Sequence, residues 1–313
     1  MNIFEHLGLP TEHRKLANKV TQFVKHWDEV TEKNKVGKRF AVQVKKDGVC
    51  ALVVVVMGVI SIWSRTGNEF TNTGALIGSL KKLYLSDGVY MGEMTCDSVS
   101  LEVLSGVVNT NRVNPLNADN RHVPKELEMN FFDFVTLQEF THGATMRSYK
   151  DRHHTLSCIL AVTIDYVDAA KLLDFLILDK IDDIYEFLAE QVANGEEGIV
   201  IKDFDAGWEA GHKGWRVMKL VRGVDYDLLC IDYEEGTGKY KGKVANLIFK
   251  WKGGKTIKAM LGKGWTHHMA ESMFNEITFC ARKQLDNKSW THPVGKIFQV
   301  YALEESSKGK LRL

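Results

Sequence analysis

Between residues 39 and 65 the chain carries three stretches, 39–45, 50–57 and 59–65, that are together rich in valine, and a strand-based fold is what accommodates them. The run from Ala51 to Trp63 is apolar, but it is too short to span a bilayer and is broken by Gly58 and Ser61. Two β-strands joined by a turn fit it, and the three stretches together read as a short antiparallel meander. The first of them, Phe40-Ala-Val-Gln-Val44, ends on Lys45-Lys46-Asp47-Gly48. A lysine at the lip of a strand becomes a nucleophile when burial or a neighbouring cation lowers its pKa, and Lys46 supplies such a cation. Asp47 offers a carboxylate to orient the amine or a metal, and Gly48 lets the backbone turn tightly beside a ligand.

A chain of 313 residues is longer than one typical domain. Only four prolines, no low-complexity tract and no repeat period argue against linkers or a solenoid. Helical spacing of Leu16, Val20, Phe23, Val24, Trp27 and Val30 predicts an N-terminal amphipathic helix over 11–33. Further elements are a helix from Ala75 to Leu83 and strands Val89 to Thr95 and Asn130 to Thr136. The polar segment 137–150 reads as a loop, and 168–194 as one or two helices burying Leu172, Leu173, Phe175, Leu176, Ile181, Ile184 and Leu188. Strands Gly198–Asp203 and Trp215–Leu220 follow. From Asp227 the pattern changes to short strands between glycine-rich turns, which resembles a small β-barrel, and the boundary falls near Val221–Val224.

Four later elements join the lysine in order. Gly92-Glu93 lies in a strand, where the carboxylate could receive a sugar hydroxyl or a metal. Phe132-Asp133 lies in an apolar strand, where an aromatic face could stack on a purine. Glu197-Gly-Ile-Val-Ile-Lys202 places a carboxylate and a lysine at the two ends of one strand, and Trp215-Arg216-Val217-Met218-Lys219 brings another cation on the next.

These motifs resemble the signature of the covalent nucleotidyltransferases, most closely the compact ATP-dependent DNA ligases of bacteriophage and bacterial type. The resemblance runs from about Phe40 to the C-terminus and includes Glu235-Gly-Thr-Gly-Lys-Tyr-Lys-Gly-Lys-Val244, similar to the opening hairpin of a ligase OB-fold domain. It implies an α+β fold: a nucleotidyltransferase (adenylation) domain over 1–222, with ATP-grasp-like antiparallel sheets and flanking helices, then a small OB-fold β-barrel over 223–313 that binds DNA. It further implies that Lys45 forms a lysyl-AMP, that the AMP passes to the 5′-phosphate of a nick, and that the 3′-hydroxyl displaces it. Lys45, Glu197 and Lys219 are then the catalytic residues. Gln43, Val44, Lys45, Glu93, Phe132, Lys202 and Lys219 would surround ATP, with Gln43 reading the adenine edge and Phe132 stacking on its ring. Asp47, Glu93 and Glu197 would hold magnesium or manganese, since hard carboxylate and phosphate oxygens suit such ions. Arg65 would grip the nick 5′-phosphate, and Lys213, Lys239, Lys241 and Lys243 would bind DNA.

Two positions depart from the family pattern. Cys50 stands where an arginine is common, and Val217 where a lysine is common; Arg216 is one place off and would point to the opposite strand face from Lys219. The family also continues past Gly309-Lys-Leu-Arg-Leu313 to an Arg-x-Asp-Lys motif that orients the ATP pyrophosphate, so self-adenylylation is the step expected to suffer most. RNA ligases and mRNA-capping guanylyltransferases share the lysine motif, and a nick-binding protein without catalysis is a third reading.

The charge is unevenly distributed. Residues 223–313 hold 15 Lys and Arg against 10 Asp and Glu, while residues 1–222 hold 26 against 30. Eight lysines and no acid lie between Lys239 and Lys263, with Tyr240, Phe249 and Trp251 interleaved. Lysines 239, 241 and 243 alternate and would share one strand face, a surface for tracking the phosphates of nicked double-stranded DNA. The histidine pairs His153-His154 and His267-His268 lack metal-ligand partners and read as surface or DNA-adjacent residues. Five scattered cysteines without a C-x-x-C pair exclude a zinc ribbon and point to a reducing cytosol. With no signal-type N-terminus, a cytoplasmic monomer that does not engage membranes is expected.

Overall fold

The computed structural model describes residues 2–9, 20–262, 264–284, 291–302, 304–305 and 311–312. The chain divides into two compact units, Met1–Val221 and Arg222–Leu313.

In the first unit the order begins α1 (Ile3–His6), β1 (Phe23–His26), β2 (Phe40–Lys45), β3 (Val49–Val56), β4 (Val59–Ser64), α2 (Gly74–Leu80), β5 (Gly88–Thr95) and α3 (Leu101–Val107). It continues β6 (Glu128–Val135), α4 (Leu137–His142), β7 (Ala144–Thr145), α5 (Tyr149–Leu160), β8 (Ala170–Leu172) and β9 (Leu176–Leu178). The unit ends with α6 (Ile181–Ala193), β10 (Gly198–Asp203), β11 (Trp208–Glu209) and β12 (Lys213–Val221). Two five-stranded sheets result, ordered β1-β12-β10-β2-β9 and β4-β3-β5-β6-β8.

The apolar run of β3 is explained by burial on both faces. Ala51, Val53 and Val55 enter one core cluster with Leu80, Leu104 and Leu156, while Leu52 and Val54 enter another with Ile3, Trp63 and Phe140. A third cluster, with Trp27, Phe40, Ile184, Ile199 and Met218, lies under the first sheet.

Several expectations are corrected. The first strand of the supposed meander does not pair with the second: β2 pairs with β10 and β9, whereas β3 pairs with β4 and β5. Lys46-Asp47-Gly48 is therefore the step from one sheet to the other. The described part of 11–33 is not a helix; Phe23–His26 is a strand beside β12, and residues 10–19 lie outside the described residues. Tertiary pairing overrides the local periodicity there. The same holds for 168–178, where β8 joins β6 and β9 joins β2; only α6 keeps helical form. Segment 137–150 is not a loop, since a capping box at Thr136 and Glu139 starts α4 and Ser148 caps α5.

The second unit holds β13 (Val224–Glu235), β14 (Val244–Lys250), β15 (Thr256–Met260), α7 (His267–Lys283) and β16 (Ile297–Ala302), then the short strands Glu304–Glu305 and Leu311–Arg312. Ala270, Met273, Ile277 and Cys280 make α7 amphipathic, and Met273 and Ile277 pack with Leu228, Cys230, Leu247 and Phe249. This helix was not expected. Among the described residues the sheet runs β15-β14-β13-β16 with two free ends and is not closed into a barrel. Also among the described residues, no helix is long and apolar enough to cross a membrane.

Candidate active site

The site grows from alternation along β2. Phe40 and Val42 belong to the core beneath the sheet, so Ala41, Gln43 and Lys45 share the other face. In register, Ala41 lies opposite Lys202, Gln43 opposite Val200, and Lys45 opposite Gly198. Across β10 the next partners are Val217 for Lys202 and Lys219 for Val200. One sheet face thus carries Gln43, Lys45, Val200, Lys202, Val217 and Lys219. Val44 falls on the other face opposite Ile199, so its side chain does not join this group.

Lys45 ends β2 half-buried, with its Nζ 2.6 Å from Glu197 Oε2. Lys46 makes a parallel pair with Glu196, also at 2.6 Å. Two glycines allow this closeness. A Cβ on Gly198 would lie 2.3 Å from the carbonyl oxygen of Leu220, and one on Gly48 2.5 Å from that of Met94 and 2.8 Å from Glu93 Cγ.

Phe132 reaches the site through a break in pairing. Met91 pairs with Asp133 and Gly92 with Phe131, so Phe132 is the extra residue of a bulge in β6. Lys202 Nζ stands 4.1 Å from its ring centroid and 4.4 Å from that of Tyr149. It donates to the Phe132 carbonyl and to the Tyr149 hydroxyl, each at 3.3 Å. Burial pushes the Lys202 amine down to about 7, Arg152 adding to the fall and Asp133 opposing it. Beneath these groups lies a buried pair, Arg152 Nε and Nη2 each 2.9 Å from the Asp133 carboxylate. Gln43, 2% exposed, donates to the Leu173 carbonyl at 2.8 Å.

Glu93 completes the face from the second sheet. Burial raises its carboxyl to about 7; Lys45 and Arg65 oppose the rise, and Glu197 and Asp47 add to it. Burial, with help from Glu93, likewise pushes the Cys50 thiol up to about 12, so this residue supplies no charge where the family's arginine would stand. Burial and then the charge of Lys45 lower the Lys219 amine, against the pull of Glu197. Arg65 is exposed, and its charge acts on Glu93 and Lys219. Among the described residues no three His, Cys, Asp or Glu side chains converge on a metal position, so Asp47, Glu93 and Glu197 do not form a ready cage. Glu93 and Glu197 nevertheless feel each other's charge and are hard oxygen donors, which fits magnesium completed by phosphate oxygens and water.

The raised carboxyl has a testable consequence. Between pH 4.5 and about 7 the folded chain holds a proton on Glu93 that the unfolded chain has released, so this group's contribution to stability falls as pH rises through that window. Glu93→Gln is expected to stabilise the protein at pH 8, on the order of 1–2 kcal/mol after discounting for partial solvent contact. The gain should vanish near pH 4.5, and urea unfolding at both values measures it.

The remaining candidates are dispersed. Lys213 is exposed at the start of β12. Lys239 lies in a 3-10 turn between β13 and β14, with Lys241 and Lys243 after it, so the three do not share a strand face. Glu235 accepts from the Gly242 backbone at 2.9 Å, and the Gly236 N–H donates to the Lys243 carbonyl at 2.9 Å, closing the turn. Lys243 is 3.9 Å from Glu271, and Lys263 lies outside the described residues. Arg216 pairs with Glu209 at 2.8 Å. His267 and His268 are exposed in the first turn of α7. His153 is not a surface residue: it is 6% exposed and bonds the Leu173 carbonyl at 2.9 Å. Tyr149, Arg152, His153 and Glu196 were not foreseen.

Known proteins agree with this architecture. The family model described as ATP dependent DNA ligase domain matches residues 16–220, and that described as DNA ligase OB-like domain matches 235–313. The chain belongs to the ATP-dependent DNA ligase family. A probable DNA ligase of Streptomyces coelicolor is 38% identical over 78 residues, which span 25% of this chain but only 15% of that relative. Among solved structures, one described as Pmar-Lig_PreS3 superposes with a TM-score of 0.76 at 20% identity, covering 94% of this chain and 66% of the other. A Lig E DNA ligase gives 0.65 at 15% identity, covering 94% and 96%. At such identities these two likenesses concern the fold.

Proposed function

We propose that the chain is an ATP-dependent DNA ligase that seals 5′-phosphate/3′-hydroxyl nicks in duplex DNA. The observation that carries this is the 2.6 Å contact of Lys45 with Glu197 on the sheet face shared with Gln43, Lys202 and Lys219. Lys45 gives its proton to Glu197 and attacks the α-phosphorus of ATP; the N–P bond forms as the bond to pyrophosphate breaks. The resulting lysyl-AMP is attacked by the 5′-phosphate of the nick, which releases the lysine and leaves adenylylated DNA. The 3′-hydroxyl then attacks the 5′-phosphorus and AMP departs.

Phe132 stacks on the adenine, Gln43 faces its edge, and Lys219 offsets charge at the reacting phosphates. Glu93 and Glu197 would hold magnesium, which when bound supplies further charge neutralisation. Arg65 and Lys213 take DNA phosphates in the first unit, and Lys239, Lys241 and Lys243 in the second. The units correspond to an adenylation domain and an OB-fold DNA-binding domain. Five free thiols suit a reducing cytoplasm, where the protein works as a monomer.

With ATP, magnesium and nicked DNA labelled at the 5′-phosphate, the label should become resistant to phosphatase. A requirement for GTP, or sealing of RNA alone, would place the chain among capping enzymes or RNA ligases. Tight binding of a pre-adenylylated nick, with no lysyl-AMP formed and no sealing, would make it a nick binder. Replacing Lys239, Lys241 and Lys243 by glutamine should weaken binding to nicked duplex and reduce the slope of log K against log salt by about 2 to 3. An unchanged slope places the DNA surface elsewhere.

A further inference from the structure

Helix α5 presents two buried polar side chains, Tyr149 and His153, one turn apart on the same face. Each ends on a carbonyl that fixes part of the purine pocket. Tyr149 donates its hydroxyl to the Phe132 carbonyl at 2.9 Å, which pins the bulge from which the stacking ring projects. The same hydroxyl accepts from Lys202, the amine lying over that ring. The His153 Nε2 donates to the Leu173 carbonyl at 2.9 Å, and this is the carbonyl that takes the Gln43 amide at 2.8 Å. Leu173 is itself tied to the bulge strand, its N–H donating to the Phe131 carbonyl at 2.8 Å. The carbonyls beside the stacking ring and the edge-facing amide are thus held from one helix.

We propose that Tyr149 and His153 are positioning residues for base recognition: α5 sets the stacking ring through Tyr149 and the edge-reading amide through His153, and so governs how well adenine is preferred over guanine. Neither side chain need touch the nucleotide. Both donors sit on buried side chains, 2% and 6% exposed, so removing either leaves its carbonyl without that partner. The inference rests on the purine assignment made above. The rings of Tyr149, His153 and Phe175 also pack together, with centroids 4.8 to 5.9 Å apart, and Tyr149→Phe preserves that packing.

The test uses the full chain and measures dissociation constants for ATP and GTP alongside the rate of lysine adenylylation at saturating ATP. Tyr149→Phe should weaken ATP binding by about threefold to tenfold, the worth of one buried hydrogen bond, with the loss concentrated in affinity rather than rate. His153→Leu should narrow the preference for ATP over GTP by a similar factor, and His153→Gln, which keeps an N–H donor, should restore part of it. Loss of melting temperature without a change in the ATP/GTP ratio would mean a merely structural role and overturn the inference. So would ATP affinity within twofold of wild type in both variants. Failure of the wild-type chain to bind ATP would instead sink the ligase reading itself.

Discussion

Lys45→Ala protein given ATP, magnesium and nicked duplex is expected to seal nothing measurable, a loss on the order of 10⁴-fold or more for removing the nucleophile of a covalent mechanism. The same protein should still close a nick that already carries 5′-AMP, because the last step makes its bond between DNA groups and does not use the lysine. The two substrates run side by side separate loss of the nucleophile from loss of the fold. Glu197→Gln should impair both, since on this reading that carboxylate takes the lysine proton in the first step and would help hold magnesium at the phosphates in the others. If Lys45→Ala seals the ordinary nick, another group carries the AMP.

The second large effect is structural. Burial alone would push the Asp133 carboxyl up, but Arg152, through its charge and hydrogen bonds, and Lys202 hold it below its usual value. Arg152→Met leaves that carboxylate buried without its partner and should cost about 3–5 kcal/mol. The sign of the pH dependence follows. In the wild type the pair contributes above the ordinary Asp value near 3.8 and is lost as pH falls through the lower folded value. In the variant the orphaned carboxyl is raised instead, so the deficit should be greatest at neutral pH and shrink toward pH 4. Urea titrations at pH 7 and pH 4 measure both, and Asp133→Asn with Arg152→Met should recover part of the loss.

What could be read from the chain was whatever one strand carries by itself. Lys45, Lys202 and Lys219 sit on β2, β10 and β12, with Glu197 just ahead of β10; the limits of these strands follow from alternation and β-branched runs, and the structure places them side by side. Phe132 was legible as an aromatic in an apolar strand, but not as a bulge residue, because a bulge depends on register with a neighbouring strand. Helices α4 and α5 carry no continuous apolar stripe, since α4 buries only Phe140 and α5 buries Tyr149, Arg152 and His153 along with its leucines. The capping residues Thr136, Glu139 and Ser148 were the available signal, and they outrank weak periodicity. His153 looked like surface because its partner, the Leu173 carbonyl, is brought to it only by the pairing of 170–178 with two sheets. Lysines 239, 241 and 243 alternate in sequence, yet a turn interrupts the strand before them, so spacing did not imply a shared face.

The central claim is that the Lys45 amine becomes the carrier of AMP. Intact-mass measurement of the wild-type chain after incubation with ATP and magnesium, followed by tryptic mapping, tests it most directly. The account predicts a gain of one AMP on the peptide containing Lys45, absent from the Lys45→Ala chain. An adduct on any other residue, or an unmodified chain that nonetheless seals nicks when ATP is supplied, would contradict it.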